Sequence, residues 1–191
     1  MENSRLYIIT GSINAGKTMF CMRFVNDARH RKIDTAGVLS PPVICRKRKI
    51  AIEVEDIRSG EKRTLAQQQA HDEPGPQIGR WFFYADALQW GNDMLRRSVP
   101  CDLLIVDELG PLELLRHEGW QAGVEAIDSN QYRLGLVVIR PSLLQEAKKR
   151  WRRAQVILLN PWIRNIQGWL WNQKLLLELE TQLTGKPPSS V

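Results

Sequence analysis

The chain has 191 residues, 43% hydrophobic and 25% charged, which is the make-up of an ordinary globular protein long enough for one domain with a sheet covered on both faces. No apolar run approaches the ~18 residues of a membrane span, so no membrane partner is expected. The net charge of +6 is local: residues 1–139 carry 18 basic and 18 acidic side chains, residues 140–153 supply +5, and residues 154–191 add +1. A localised patch of this kind does not suit a protein that wraps nucleic acid.

Cys21, Cys45 and Cys101 are isolated and odd in number, which favours free thiols in a reducing compartment. His30, His71 and His117 offer no metal-ligand spacing. Residues 1–5 lead directly into the first predicted strand and leave no room for a signal peptide. A cytoplasmic protein is expected.

The first predicted elements form a phosphate trap. Leu6-Tyr7-Ile8-Ile9-Thr10 reads as a strand, and residues 19–31 read as a helix with Phe20, Phe24 and Ala28 four apart. Between them lies Gly11-Ser12-Ile13-Asn14-Ala15-Gly16-Lys17-Thr18, a complete G-x-x-x-x-G-K-[ST] loop. Its glycines let the backbone curl with N–H groups pointing inward, and the helix adds its positive dipole end. In this pattern Lys17 reaches the β- and γ-phosphates and the Thr18 hydroxyl is placed to ligate Mg²⁺. A bare glycine turn has no use for Lys and Thr at these two positions.

Residues 36–83 behave differently. Gly37-Val38-Leu39, residues 49–57, residues 62–65 and Trp81-Phe82-Phe83 suggest antiparallel strands, with a turn at Arg58-Ser59-Gly60-Glu61. Residues 67–79, containing Pro74, Gly75, Pro76 and Gly79, read as a mobile loop. Trp81 and Trp90 read as core. Then helix and strand alternate: helix 85–98, strand 102–106, helix 119–130, strand 134–139, basic helix 142–153, strand 155–159 and a long helix 162–183. This order implies a parallel sheet with crossover helices. Residues 1–183 are expected to form a single domain and residues 184–191 a disordered tail.

The strand at residues 102–106 ends in Asp107-Glu108, and ligands of open α/β sheets collect outside such carboxyl ends. Asp107 is the expected partner of Thr18 at the metal. Glu108 is suited to orient a water for in-line attack on the γ-phosphorus. A solvated strand end is the plainer alternative for this acid pair taken alone.

The phosphate loop, Gly37-Val38-Leu39, Ile57-Arg58-Ser59-Gly60 with Leu65-Ala66, and Asp107-Glu108-Leu109-Gly110-Pro111-Leu112-Glu113-Leu114 together resemble the small THEP-type nucleoside triphosphatases over residues 5–140. The resemblance implies an α/β fold of the three-layer P-loop NTPase kind (Rossmann-like, RecA-like), with a mainly parallel sheet plus an antiparallel β-hairpin insertion. It also implies slow Mg²⁺-dependent hydrolysis of ATP, GTP or another NTP to NDP and phosphate with little base selectivity. Glu113 would then serve the site, or else act as a carboxylate at a helix N-terminus. The chain departs from the family at Arg140, where a histidine is usual. Arg140 is either a cation for the γ-phosphate or a solvated strand-end arginine.

The 148–153 basic cluster, interrupted only by Trp151, reads as a solvated helix face; the alternatives are an arginine supplied to the nucleotide and, possible but not favoured, contact with nucleic acid. Packing explains most of Trp162, Trp169 and Trp171, although Trp162 follows the last strand and could stack on a base. The competing readings are a nucleotide or nucleoside kinase and a nucleotide-gated module for RNA or another partner. A monomer is favoured. The assignment is therefore Lys17, Glu108 and Arg140 as catalytic residues, residues 11–18 and Trp162 as nucleotide-binding residues, and Thr18 and Asp107 as metal ligands.

Overall fold

The computed structural model describes residues 4–69, 75–162 and 164–184. Among them, β1 (Arg5–Thr10), β2 (Thr35–Leu39), β8 (Cys101–Leu109), β9 (Tyr132–Ile139) and β10 (Gln155–Leu158) form the parallel half of one sheet in the order β10-β1-β9-β8-β2. The sheet continues antiparallel through β4 (Arg48–Asp56), β5 (Lys62–Gln67), β7 (Trp81–Phe83) and the two-residue β6 (Gln77–Ile78). β3 (Pro42–Cys45) pairs with β4 off this path.

The parallel strands are buried on both faces, so they read as continuous Ile, Leu and Val rather than alternating runs. Successive residues still face opposite cores. Ile9, Ile105 and Leu136 pack with Phe24 and Val25 of α1 (Lys17–His30) and with Leu175, Leu176 and Leu179 of α5 (Arg164–Thr184). Ile8, Leu104, Val106 and Val137 face the other way, toward Leu95 of α2 (Ala85–Arg96), Ile127 of α3 (Gln121–Asp128) and Ala147 of α4 (Leu144–Arg150). These are the expected three layers. No described helix is long and apolar enough to cross a membrane.

Several expectations need correction. β8 runs to Leu109 rather than stopping at Val106, so Asp107 and Glu108 lie within the strand, where its register to β9 shifts between Val106 and Leu109. The peptide between the two acids is cis. The supposed loop 67–79 contains β6, while its residues 70–74 lie outside the described residues. A π-helical turn, Leu112–Arg116, separates β8 from α3, and the basic helix is a short 3-10 turn, Pro141–Leu143, followed by α4. The expected tail, except Thr184 at the end of α5, lies outside the described residues.

Trp90 is core, as expected, but Trp81 is only half-buried. Its ring lies beneath Lys49 Nζ at 5.0 Å and near the Arg80 guanidinium at 5.8 Å. On α5, Trp171 packs edge-on against Tyr7, but Ile166, Trp169 and Leu170 are exposed. The helix is anchored through its middle turns, where Asn172, Leu175 and Leu176 are buried, so its first turns need no apolar cover from the sheet.

Candidate active site

The phosphate loop leaves β1 at Gly11, whose φ of 156° and position exclude a side chain: a Cβ there would lie 2.6 Å from the Leu159 carbonyl oxygen. Ser12, Ile13 and Asn14 are exposed at the tip, with Ile13 88% exposed, whereas Ala15 is fully buried. Gly16, at φ 90°, caps α1 in a left-handed conformation that glycine adopts without steric cost. Lys17 curls back over the loop and donates from Nζ to the Gly11 carbonyl at 2.9 Å and the Ser12 carbonyl at 3.0 Å. Burial lowers its pKa, while Glu108 and Asp107 partly restore it.

Opposite the loop stands the acid pair. Thr18 Oγ1 donates to Asp107 Oδ1 at 3.3 Å, which joins the loop helix to β8. Asp107 is fully buried, and the Ser40 backbone N–H donates to its Oδ2 at 3.2 Å. The Ser40 hydroxyl also donates to the Asp107 main-chain carbonyl. Burial, then the neighbouring Glu108 charge, pushes the Asp107 carboxyl up to about 6, against the pull of Ser40, Thr18 and Lys17. Glu108 turns the other way and forms an ion pair with the Arg140 guanidinium at the end of β9.

The structure thus brings Thr18 to Asp107 and Arg140 to Glu108, with Lys17 within reach of the charges of Asp107, Glu108 and Arg140. Ser40 is an addition. Its signal was its place just past β2, a strand whose carboxyl end opens on the same crevice. Trp162 lies in the loop that follows β10, and that loop touches the start of the phosphate loop: the Leu159 N–H donates to the Thr10 carbonyl at 2.8 Å. The Trp162 ring is 92% exposed.

Glu113 has a different surrounding. It is buried, with Oε2 accepting from the Gly110 N–H at 2.7 Å and Oε1 from the Trp120 N–H at 3.0 Å. Both oxygens thus staple the segment between β8 and α3, an arrangement related to a capping box. This is the plainer of the two readings raised for it. In the basic cluster, Arg150 pairs with Asp128 and Lys149 with Glu146, as on a solvated helix face.

Among the described residues no three His, Cys, Asp or Glu side chains are grouped to hold a metal. The Thr18–Asp107 pair offers two oxygens beside a phosphate-binding loop, which is the donor set of a cation completed by substrate oxygens.

Fold and site together define a P-loop α/β protein with a paired Asp-Glu at the end of the strand facing the loop. A family model described as NTPase matches residues 6–166, and the chain belongs to that family. Nucleoside-triphosphatase THEP1 of Methanopyrus kandleri is 32% identical over 108 residues, 56% of this chain and 58% of that protein's length. The protein of the same name from Methanothermobacter thermautotrophicus is 28% identical over 145 residues, 75% of this chain and 80% of its own.

The fold is also that of two solved structures. The solution structure of a human cancer-related nucleoside triphosphatase matches with a TM-score of 0.68 at 19% identity, covering 90% of this chain and 97% of that one. The crystal structure of THEP1 from Aquifex aeolicus matches with a TM-score of 0.60 at 18% identity, covering 92% and 99%.

Proposed function

We propose that this protein is a Mg²⁺-dependent nucleoside triphosphatase that converts NTP and water to NDP and phosphate, with broad tolerance for the base. The observation that carries the reading is the meeting of Thr18 Oγ1 and Asp107 Oδ1 at 3.3 Å beside the phosphate loop, with Glu108 next along the strand. A buried carboxylate whose pKa is raised by burial is short of positive charge, so Mg²⁺ fits there. Bound to Thr18, Asp107 and the substrate, Mg²⁺ would neutralise charge on the β- and γ-phosphates.

The chain's own groups do the remaining work. The loop amides and the α1 N-terminus hold the phosphate chain. Lys17 exchanges two neutral carbonyl acceptors for charged phosphate oxygens, a stronger pairing that favours binding. The γ-phosphate draws the Arg140 guanidinium away from Glu108 and is stabilised by it as charge develops. Glu108, released from that ion pair, accepts a proton from the attacking water. The exposed Trp162 ring gives every base a stacking plane without reading its hydrogen-bonding edge.

A phosphate-release panel over ATP, GTP, CTP and UTP tests this reading. We expect turnover of all four within about tenfold of one another and its loss with EDTA. Lys17→Ala should remove both binding and turnover. Glu108→Gln should keep nucleotide binding and lower kcat by about 10²-fold or more, the scale of a general-base contribution. Full turnover by Glu108→Gln would refute the water-activating role, and release that requires an added acceptor would favour a kinase.

A further inference from the structure

We propose that Lys49, carried by the β3–β4 hairpin, is a second ammonium that meets the γ-phosphoryl group during hydrolysis, across the site from Lys17. The inference rests on the hydrolase reading above and adds a catalytic residue to it.

The sheet geometry places the hairpin. β4 pairs with β2 only through Asp56 and Glu55, opposite Val38 and Leu39. The strand before that point, back to Lys49, extends beyond the carboxyl end of β2 by about 20 Å at ~3.3 Å per residue. β3 follows β2 after Ser40 and Pro41 and pairs with this projecting part of β4, from Pro42↔Ile52 to Cys45↔Arg48. The result is an arm overhanging the side of the sheet where the phosphate loop, Asp107 and Glu108 lie. Its root is fastened there, since Ser40 donates to the Asp107 carboxylate from its N–H and to the Asp107 carbonyl from its hydroxyl.

Lys49 is exposed on this arm, with its backbone tied down and its amine lying over an indole ring. Its carbonyl accepts from Gln68 Nε2 at 2.9 Å, and its Nζ sits 5.0 Å from the centre of the Trp81 ring. The charges acting on that ammonium are those of the site. Glu108 and Asp107 attract it, and Arg140 and Arg80 repel it. The same two carboxylates act on Lys17. Partial desolvation of the Lys49 ammonium disfavours its charge, as it does for Lys17, so both amines gain from an incoming anion.

Charge balance explains the need. Asp107 and Glu108 offset Lys17 and Arg140, so among the chain's own groups Lys49 is the one that adds to the positive charge of the proposed Mg²⁺ when a triphosphate arrives. A preorganised cation aimed at oxygens where charge develops lowers the barrier more than it strengthens ground-state binding.

The experiment compares the full chain with Lys49→Ala, Lys49→Met, Lys49→Arg and, as a control at the hairpin tip, Lys47→Ala. The readouts are kcat, KM, affinity for a non-hydrolysable triphosphate analogue, and trapping of NDP with aluminium fluoride. We expect Lys49→Ala to lower kcat by about 10²-fold, the size of losing one oxyanion-stabilising donor, with KM and analogue affinity within about threefold. Aluminium fluoride trapping should be lost with it. Lys49→Arg should recover kcat to within about tenfold, and Lys47→Ala should match the wild type.

Lys49→Met keeps an apolar stem against Trp81 without the charge, and it gives the same reading if the alanine variant fails to fold. Turnover and trapping unchanged in Lys49→Met would overturn the proposal while leaving the hydrolase reading intact. A wild-type protein that releases no phosphate from any NTP would instead remove the hydrolase reading itself.

Discussion

Two adjacent carboxylates of the candidate site sit in different surroundings. Asp107 is buried between Thr18 and Ser40, with its pKa raised, while Glu108 is partly exposed and pairs with Arg140. On the proposed mechanism, environment rather than residue type separates a metal-side acid from a water-side one. Gly37 shows how closely the backbones approach nearby. Its φ is +115°, and a Cβ would come 1.9 Å from the Ile105 carbonyl oxygen. Gly37→Ala should therefore cost about 3 kcal/mol or more, read as a lower urea midpoint at unchanged m-value.

The thiols give a second measurement. Cys45 is exposed, whereas burial raises the Cys21 thiol and pushes Cys101 up to about 12. A group whose folded pKa lies above its ordinary value favours folding while protonated, so Cys101 opposes ionisation until the pH approaches 12. One thiol should react with Ellman's reagent at pH 8 and three after unfolding. The phosphate loop and the acid pair were legible because phosphate and metal chemistry demand those residue types at those spacings. The contact of Ser40 with Asp107 and the role proposed for Lys49 were not, because both depend on how an antiparallel arm leaves a parallel sheet.

The arm itself explains why β3 escaped a sequence reading. Pro41-Pro42 looks like a break, yet a proline is tolerated at the first position of an edge strand. The turn that follows has two residues, Arg46 and Lys47, at φ 45° and 64°, the signature of a type I′ turn. Asn-Gly is the usual cue for that turn, and Arg-Lys conceals it. Non-glycine residues held in the left-handed region cost about 1 kcal/mol each. Replacing Arg46-Lys47 by Asn-Gly should then raise stability by about 1 kcal/mol, seen as a higher Tm, with turnover kept because Lys49 is retained. The second half of the chain was easier to read, since strands buried on both faces and amphipathic crossover helices leave opposite hydrophobic periods.

The sheet changes polarity once, between β2 and β4. On one side of that boundary five parallel strands supply the loop and the acids, and on the other an antiparallel extension supplies the arm. The phosphate loop and acid pair thus come from the parallel side, and Lys49, proposed above to join them, from the arm on the other. The family pattern captured the first half closely because its motifs sit at strand ends. It said less about α5, where an apolar sequence led to the expectation of packing, yet Ile166, Trp169 and Leu170 face solvent.

The loop ahead of α5 offers an optical test of the proposed nucleotide contact. Among the described residues Trp162 is the most open of the large apolar side chains, and it stands just past the strand beside the phosphate loop, while Trp90, Trp120 and Trp151 are sealed in the interior. Acrylamide should quench red-shifted emission from Trp162 and from the exposed Trp169, and the share lost in Trp162→Phe is that of Trp162. Adding a non-hydrolysable NTP should shield that emission in the parent chain, so nucleotide arrival can be followed in real time without attaching a dye.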